Sequence, residues 1–171
     1  LTKQDDIKKI KHFKNIKKIH PNIALSVGIK KEDLSSSILI SIRPLIEKDP
    51  NYSYVVARLL LSSLYEEGLT FLNFKDNSPT IKEMSKSYPE YFKAYITKAV
   101  ELELIDKELL NYDMDLIAKN INPSKDLAFT YLGLQTLYDR YFIHEQGKRF
   151  ELPQAFFMRV AMGLAINEEN R

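Results

Sequence analysis

Apolar residues recur at helical spacing along most of this chain, and the runs are separated by proline, asparagine and glycine. The first run is irregular: Ile7, Ile10, Phe13, Ile16 and Ile19 follow one another in three-residue steps. Such steps drift round a helix instead of forming one stripe, so this segment predicts a weakly amphipathic helix that needs a partner surface. His20-Pro21-Asn22 breaks it, and a short apolar run from Ile23 to Val27 ends at Gly28. Asp33 reads as the N-cap of a helix from Leu34 to about Lys48, with Ile38, Ile40, Ile42, Leu45 and Ile46 apolar and a kink at Pro44. Asp49-Pro50-Asn51 stops that helix. The next runs from Tyr52 to about Leu69, and Val55, Val56, Leu59, Leu60 and Leu64 give it the wide apolar face of a central helix.

After a looser connection from Asn73 to Pro79, Thr80 to Lys86 predicts a short helix, and Pro89 opens another that reaches about Leu104. Tyr91, Phe92, Tyr95, Ile96, Ala99, Val100 and Leu104 repeat at its spacing. Short helices follow at Lys107–Leu110 and at Asp113–Lys119, the second with Met114, Leu116 and Ile117, and Pro123-Ser124 marks a loop. Phe129–Tyr138 predicts a helix. Tyr141–His144 and Arg149–Leu152 predict two short strands joined by Glu145–Lys148, where Gly147 suits the positive φ of a tight turn. Pro153 begins a last helix to about Ile166, with Phe156, Phe157, Val160, Ala161 and Leu164 facing inward. No strand–helix–strand alternation is visible, so the fold class is mainly α: a multi-helix domain with one short β-hairpin near its C-terminal end.

Composition narrows the function more than the fold. With 171 residues, 44% hydrophobic and 28% charged, the chain can bury a real core. It contains no cysteine, which excludes a disulfide framework, a thiolate metal site and a cysteine nucleophile within these residues. No apolar stretch is long enough to span a bilayer and no signal-peptide pattern is present, so a cytoplasmic address is expected. The first residue is Leu1 and the polar Asn167–Arg171 follows the last helix, which suggests a piece of a longer polypeptide. The net charge of +2 conceals a lysine-rich start: residues 1–31 hold nine Lys against Asp5 and Asp6. That arm has no Arg and only Phe13 as an aromatic residue, so a solvated arm outweighs nucleic-acid contact.

Self-contained chemistry is lacking. His12, His20 and His144 are far apart, without ligand partners at helical spacing, so no metal site is expected. Gly28, Gly68, Gly133, Gly147 and Gly163 are scattered and form no phosphate-cradling loop. Ser35, Ser36 and Ser37 read as first-turn residues, and the acidic pairs Glu66 with Glu67 and Glu101 with Glu103 as solvated helix faces. Most tyrosines fall at core spacing. No residue qualifies as catalytic.

Two long stretches carry more. Asp126-Leu-Ala-Phe-Thr-Tyr-Leu-Gly-Leu-Gln-Thr-Leu-Tyr-Asp-Arg-Tyr-Phe142 and Leu152-Pro-Gln-Ala-Phe-Phe-Met-Arg-Val-Ala-Met-Gly-Leu-Ala-Ile-Asn-Glu168 closely resemble the N-terminal helical region of the large (alpha) subunit of class I ribonucleoside-diphosphate reductase, in its bacterial form. Leu45-Ile-Glu-Lys-Asp-Pro-Asn-Tyr-Ser-Tyr-Val-Val-Ala-Arg-Leu-Leu60, Tyr88-Pro-Glu-Tyr-Phe-Lys93 and Glu101-Leu-Glu-Leu-Ile-Asp106 are similar too, and the likeness spans about residues 22–171.

The resemblance implies an oxidoreductase of deoxyribonucleotide synthesis, serving DNA replication, whose radical cysteine and substrate pocket lie in a barrel beyond this chain. The chain itself is then inactive and braces that barrel. The implied partners are the rest of the large subunit, the radical-generating small (beta) subunit and, for the intact enzyme, nucleoside triphosphate effectors. Residues 1–70 are expected to be a truncated or degenerate ATP-cone-like segment with a basic arm, and residues 71–171 the helical domain proper. In an intact cone a threonine and a lysine contact the nucleotide, but here Lys31 and Glu66 stand at those positions. Glu66 would repel a triphosphate, so weak or absent binding of ATP or dATP is expected. The alternative is a stand-alone helical interaction or regulatory module, using its Lys-rich arm on nucleic acid.

Overall fold

The computed structural model describes residues 31–75 and 80–169, so the expected basic-arm helix lies outside the described residues. Helix α1, Lys31–Ile42, passes directly into a 3-10 turn, Arg43–Glu47. Two expectations are corrected here. Asp33 lies inside the first turn instead of capping it, a position the helix dipole favours equally for an acid. Pro44 does not kink a continuing α-helix but sits in the first turn of the 3-10 segment, where its missing N–H costs nothing.

Helix α2, Tyr52–Phe71, is the central element. Val55, Val56, Ala57, Leu60, Leu61, Leu64, Tyr65 and Leu69 are all buried on it, while Leu59 is half-buried. Helix α3, Ile81–Glu101, begins with a capping box: Glu83 N donates to Thr80 Oγ1 at 3.3 Å and Thr80 N donates to Glu83 Oε2 at 2.7 Å. It runs unbroken through Pro89, where two helices were expected. Proline forfeits one backbone hydrogen bond there, but Met84 and Tyr88 before it and Tyr91, Phe92, Tyr95, Ile96 and Ala99 after it are all fully buried. The core thus holds both halves in one line.

Both α2 and α3 end in the same way, on a non-glycine residue in the left-handed region: Asn73 at φ 58° and Glu103 at φ 57°. Phe74 N then bonds Leu69 O and Leu104 N bonds Ala99 O, each at 2.9 Å, satisfying carbonyls the helix end would orphan. A 3-10 turn, Lys107–Asn111, leads to α4, Met114–Asn120, capped by Asp113 through Leu116 N at 2.9 Å. Pro123–Ala128 forms another 3-10 turn where a loop was expected. Helix α5, Tyr131–Arg140, starts and stops two residues later than its apolar pattern suggests.

The hairpin is shorter than expected. Strands β1, His144–Glu145, and β2, Lys148–Arg149, pair antiparallel with His144 opposite Arg149. Gln146 and Gly147 form the turn, both with positive φ (51° and 80°), the combination a two-residue type I′ turn demands. The second strand ends because Phe150, Glu151, Leu152 and Pro153 all dive into the core. Helix α6, Pro153–Leu164, follows.

One continuous core runs from Ala57 and Leu61 on α2 through the aromatic residues of α3 to Phe150, Leu152, Ala155 and Met162. A smaller cluster of Ile42, Tyr52 and Val56 ties α1 to it. The inward face expected for α6 is wrong. Pro153, Ala155 and Met162 are the buried positions, Phe156 is half-buried, and Phe157, Val160, Ala161 and Leu164 point outward, Leu164 being 81% exposed.

Candidate functional site: a buried tyrosine and carboxylate network

Three tyrosines at one-turn spacing on α3, Tyr88, Tyr91 and Tyr95, form a ladder: Tyr88 meets Tyr91 edge-on at 5.4 Å between ring centroids, and Tyr91 lies nearly parallel to Tyr95 at 6.1 Å. All three are fully buried and grip the segment that enters α6. Tyr91 Oη donates to Phe150 O at 2.7 Å and accepts from Leu152 N at 2.8 Å. Tyr88 Oη accepts from Gln154 N at 3.1 Å, so a backbone N–H at the start of α6 is satisfied from α3.

A carboxylate stands at each end of the ladder. Glu151 receives Tyr95 Oη and the Arg159 guanidinium, whose Nε lies 2.6 Å from Oε1 and whose second nitrogen lies 3.2 Å from Oε2, together with Ile143 N at 2.9 Å. The carboxylate of this ion pair is fully buried, the guanidinium half-buried, and the tyrosine and backbone donors complete the carboxylate's hydrogen bonding. Asp126 receives Tyr65 Oη from α2 at 2.8 Å, Tyr88 Oη at 3.4 Å and Gln154 Nε2 at 2.9 Å. Burial pushes the Asp126 carboxyl up to about 6 against the pull of those three donors. Burial likewise raises the phenols of Tyr65, Tyr88, Tyr91 and Tyr95, with the adjacent carboxylates adding to it. These hydroxyls therefore stay protonated and act as donors.

A third cluster anchors the hairpin. Glu67 on α2 accepts from Arg149 N at 2.7 Å and from Tyr138 Oη at 3.1 Å, and Arg149 lies 4.0 Å over the Tyr138 ring. The expectation of a merely solvated Glu66–Glu67 face fails for both acids, and Glu67 is half-buried because the hairpin folds back onto that turn of α2. Glu66 is half-buried on the same turn, and Lys31 opens α1 with its side chain outside the described residues. Glu101 and Glu103 are exposed, as are Ser37 and His144, whereas His12, His20, Ser35 and Ser36 fall outside the described side chains. Nine of the ten tyrosines are buried or half-buried, and Tyr141 is the exposed one.

Sequence reasoning missed Asp126 and Glu151 as buried polar groups, and the half-buried Arg159 as the partner of Glu151. The available signal was Glu151 placed inside the apolar run Phe150–Pro153, where a solvated acid would interrupt the core. Chemically the network is closed. Among the described residues no buried side-chain nitrogen or oxygen lacks a partner, and no three His, Cys, Asp or Glu side chains gather as metal ligands. The bonds of this network tie α2, α3 and α6 to one another.

The network joins upstream tyrosines to a segment with known relatives. The model of the ribonucleotide reductase all-alpha domain matches residues 127–171, the stretch that supplies Arg149, Glu151, Gln154 and Arg159. Over 145 residues, 84% of this chain, the sequence is 41% identical to the ribonucleoside-diphosphate reductase subunit alpha of Chlamydia muridarum. This chain belongs to the ribonucleotide reductase large-subunit family. The subunit alpha of Helicobacter pylori strain 26695 is 32% identical over 144 residues, 82% of the chain. The chain spans 13% of the length of the Chlamydia muridarum reductase subunit and 16% of the Helicobacter one. An alignment over 84% of the chain takes in α2 and α3, and the family model takes in α6, so the tyrosine ladder and the segment it holds both lie in matched sequence.

Proposed function

We propose that this chain is the N-terminal, non-catalytic part of a ribonucleoside-diphosphate reductase large subunit, and that it braces the catalytic barrel of that subunit. The outward face of α6 carries this reading. Phe157, Val160 and Leu164 repeat at the spacing of one helical face, yet are 48%, 37% and 81% exposed. Leu104 and Leu109 meet Val160 and Leu164 across an open cleft of about 440 Å³. An apolar stripe of this kind on a well-packed helix fits a surface covered by further protein. Among the described residues every buried side-chain nitrogen and oxygen has a hydrogen-bond partner, which fits a brace.

A chimera tests this reading: the chain replaces the corresponding region of the Chlamydia muridarum subunit. It is expected to reduce ribonucleoside diphosphates when its radical-generating small subunit is supplied, and Leu164→Asp in the chimera to cut that activity at least tenfold. A folded chimera with no activity, or full activity with Leu164→Asp, overturns the assignment.

We propose further that residues 1–70 carry the cone-like regulatory segment, degenerate at Lys31 and Glu66, with α2 built into the core it shares with the helical domain of residues 71–171, and that the subunit acts in the cytoplasm. The support is the charge at Glu66, which opposes a triphosphate. Calorimetric titration of the chain with dATP is expected to show no micromolar binding, and micromolar binding through residues 1–70 would falsify it.

A further inference from the structure

Helix α2 meets the other described elements on every side but one. Arg58 and Tyr65 face the turn Pro123–Ala128, at Leu127 O (3.3 Å) and Asp126 (2.8 Å). Ser53 accepts from Tyr131 N at the start of α5 at 3.0 Å, and Glu67 holds the hairpin. Ala57, Leu61 and Leu64 face the main core. The remaining side is the stripe Val55, Leu59, Ser62 and Glu66, at the i, i+4, i+7, i+11 spacing of one helical face. Val55 is 3% exposed yet joins neither hydrophobic cluster of the described residues. Leu59, half-buried, borders the α1 cluster, and Glu66 is half-buried at the far end of the stripe.

We propose that this stripe is the docking surface of the chain's own Lys-rich start: residues 7–19 lie along it, with apolar side chains on Val55 and Leu59 and a lysine ammonium at Glu66. This goes beyond the assignment to the reductase, and it can fail with that assignment intact, because it needs neither a nucleotide nor the barrel. Charge favours the pairing. Residues 1–31 carry nine Lys against two Asp, whereas the rest of the chain carries 16 Lys and Arg against 21 Asp and Glu. A carboxylate that is half-buried is screened less by salt than an exposed one, so it rewards a cation more. Size favours it too: Val55 to Glu66 spans about 17 Å of helix, and Ile7 to Ile19 about 18 Å in the helix its sequence predicts. Reach is short, because Ile38, Leu39 and Ile42 of α1 pack with Val56 and Leu59, so α1 lies back along α2. Lys31, at the end of α1 remote from the connecting turn, therefore brings the arm in beside the later part of α2, where Glu66 stands.

The chain has no cysteine, so Ser62→Cys, on the exposed rim of the stripe, takes a single nitroxide label. In the whole labelled chain, the amide NMR signals of residues 7–19 are expected to be lost through paramagnetic broadening. Glu66→Lys in the labelled chain is expected to restore them, whereas Glu101→Lys, at the exposed end of α3, is expected to leave them broadened. No loss at residues 7–19, or an unchanged loss in a folded Glu66→Lys chain, overturns the docking. A mixture of isotope-labelled chain without nitroxide and nitroxide-labelled chain without isotope separates the occupants. Broadening that appears only in that mixture seats the arm on a second copy and overturns the proposal. Should Glu66→Lys not fold, the Ser62→Cys chain and the mixture decide between them: loss at residues 7–19 in the first and none in the second supports the docking, and any other pair of results removes it.

Discussion

At the scale of single residues, the two buried carboxylates make opposite predictions. Removing the cation from Glu151 leaves a buried charge uncompensated, so Arg159→Met is expected to destabilise the chain by about 3 kcal/mol. Tyr95→Phe removes one of several donors and should cost about 1 kcal/mol. Urea unfolding of the two variants checks the ranking; equal losses would mean that the guanidinium does not hold Glu151 in solution. For Asp126 the sign runs the other way from an ordinary ion-paired acid. Its folded value is about 6 against 3.8 unfolded, so its stabilising effect is complete below 3.8 and is lost as the pH rises through 6. The full difference is about 3 kcal/mol from a shift of about two units. Wild type minus Asp126→Asn, compared by urea unfolding from about pH 4 to about pH 8, should display that slope. The sequence hid both groups, because an acid beside apolar residues reads as a solvated break until the tertiary partners are known: Tyr95 and Tyr65 are distant in the chain, and nothing in local spacing pairs them with Glu151 and Asp126.

At the scale of elements, local signals predicted existence better than boundaries. Gly147 marked the hairpin turn because its positive φ is a backbone requirement that few residues meet. Thr80 and Glu83 encode the start of α3 in four residues. Pro89 misled for a physical reason: a proline is a local penalty of one hydrogen bond, and the buried rings on both sides of it outweigh that penalty in a way no short window reveals. Helix ends offer a direct test. Glu103 occupies a left-handed position with a side chain that gains nothing from it, since it is exposed. Glu103→Gly is therefore expected to stabilise the chain by about 1 kcal/mol, whereas Asn73→Gly should gain less because asparagine already tolerates that conformation. Thermal unfolding compares the two; a larger gain at Asn73 would contradict the strain assigned to Glu103.

At the scale of the molecule, the informative failure is α6. Periodicity correctly found an apolar face in Phe157, Val160, Ala161 and Leu164, but a sequence cannot state which of two apolar faces meets its own core and which meets another protein. Here the smaller pair, Ala155 and Met162, packs inward against the tyrosine-held segment, and the larger stripe is turned out. Burial dictates what each face tolerates. Met162→Asp should unfold the chain, because it places an unpaired charge against a buried surface. Leu164→Asp, at 81% exposure, should leave the unfolding midpoint of the isolated chain within about 0.5 kcal/mol of wild type. The same substitution should abolish any concentration-dependent self-association, since an uncovered stripe of Phe157, Val160 and Leu164 is the kind of patch through which isolated domains stick to one another. Sedimentation velocity over a range of concentrations separates these effects: wild type is expected to shift toward larger species as concentration rises, and Leu164→Asp to remain a single monomeric boundary with the fold intact. A Leu164→Asp chain that unfolds would instead place this face in the core of the isolated chain, contrary to the arrangement in which Met162 is buried and Leu164 is 81% exposed.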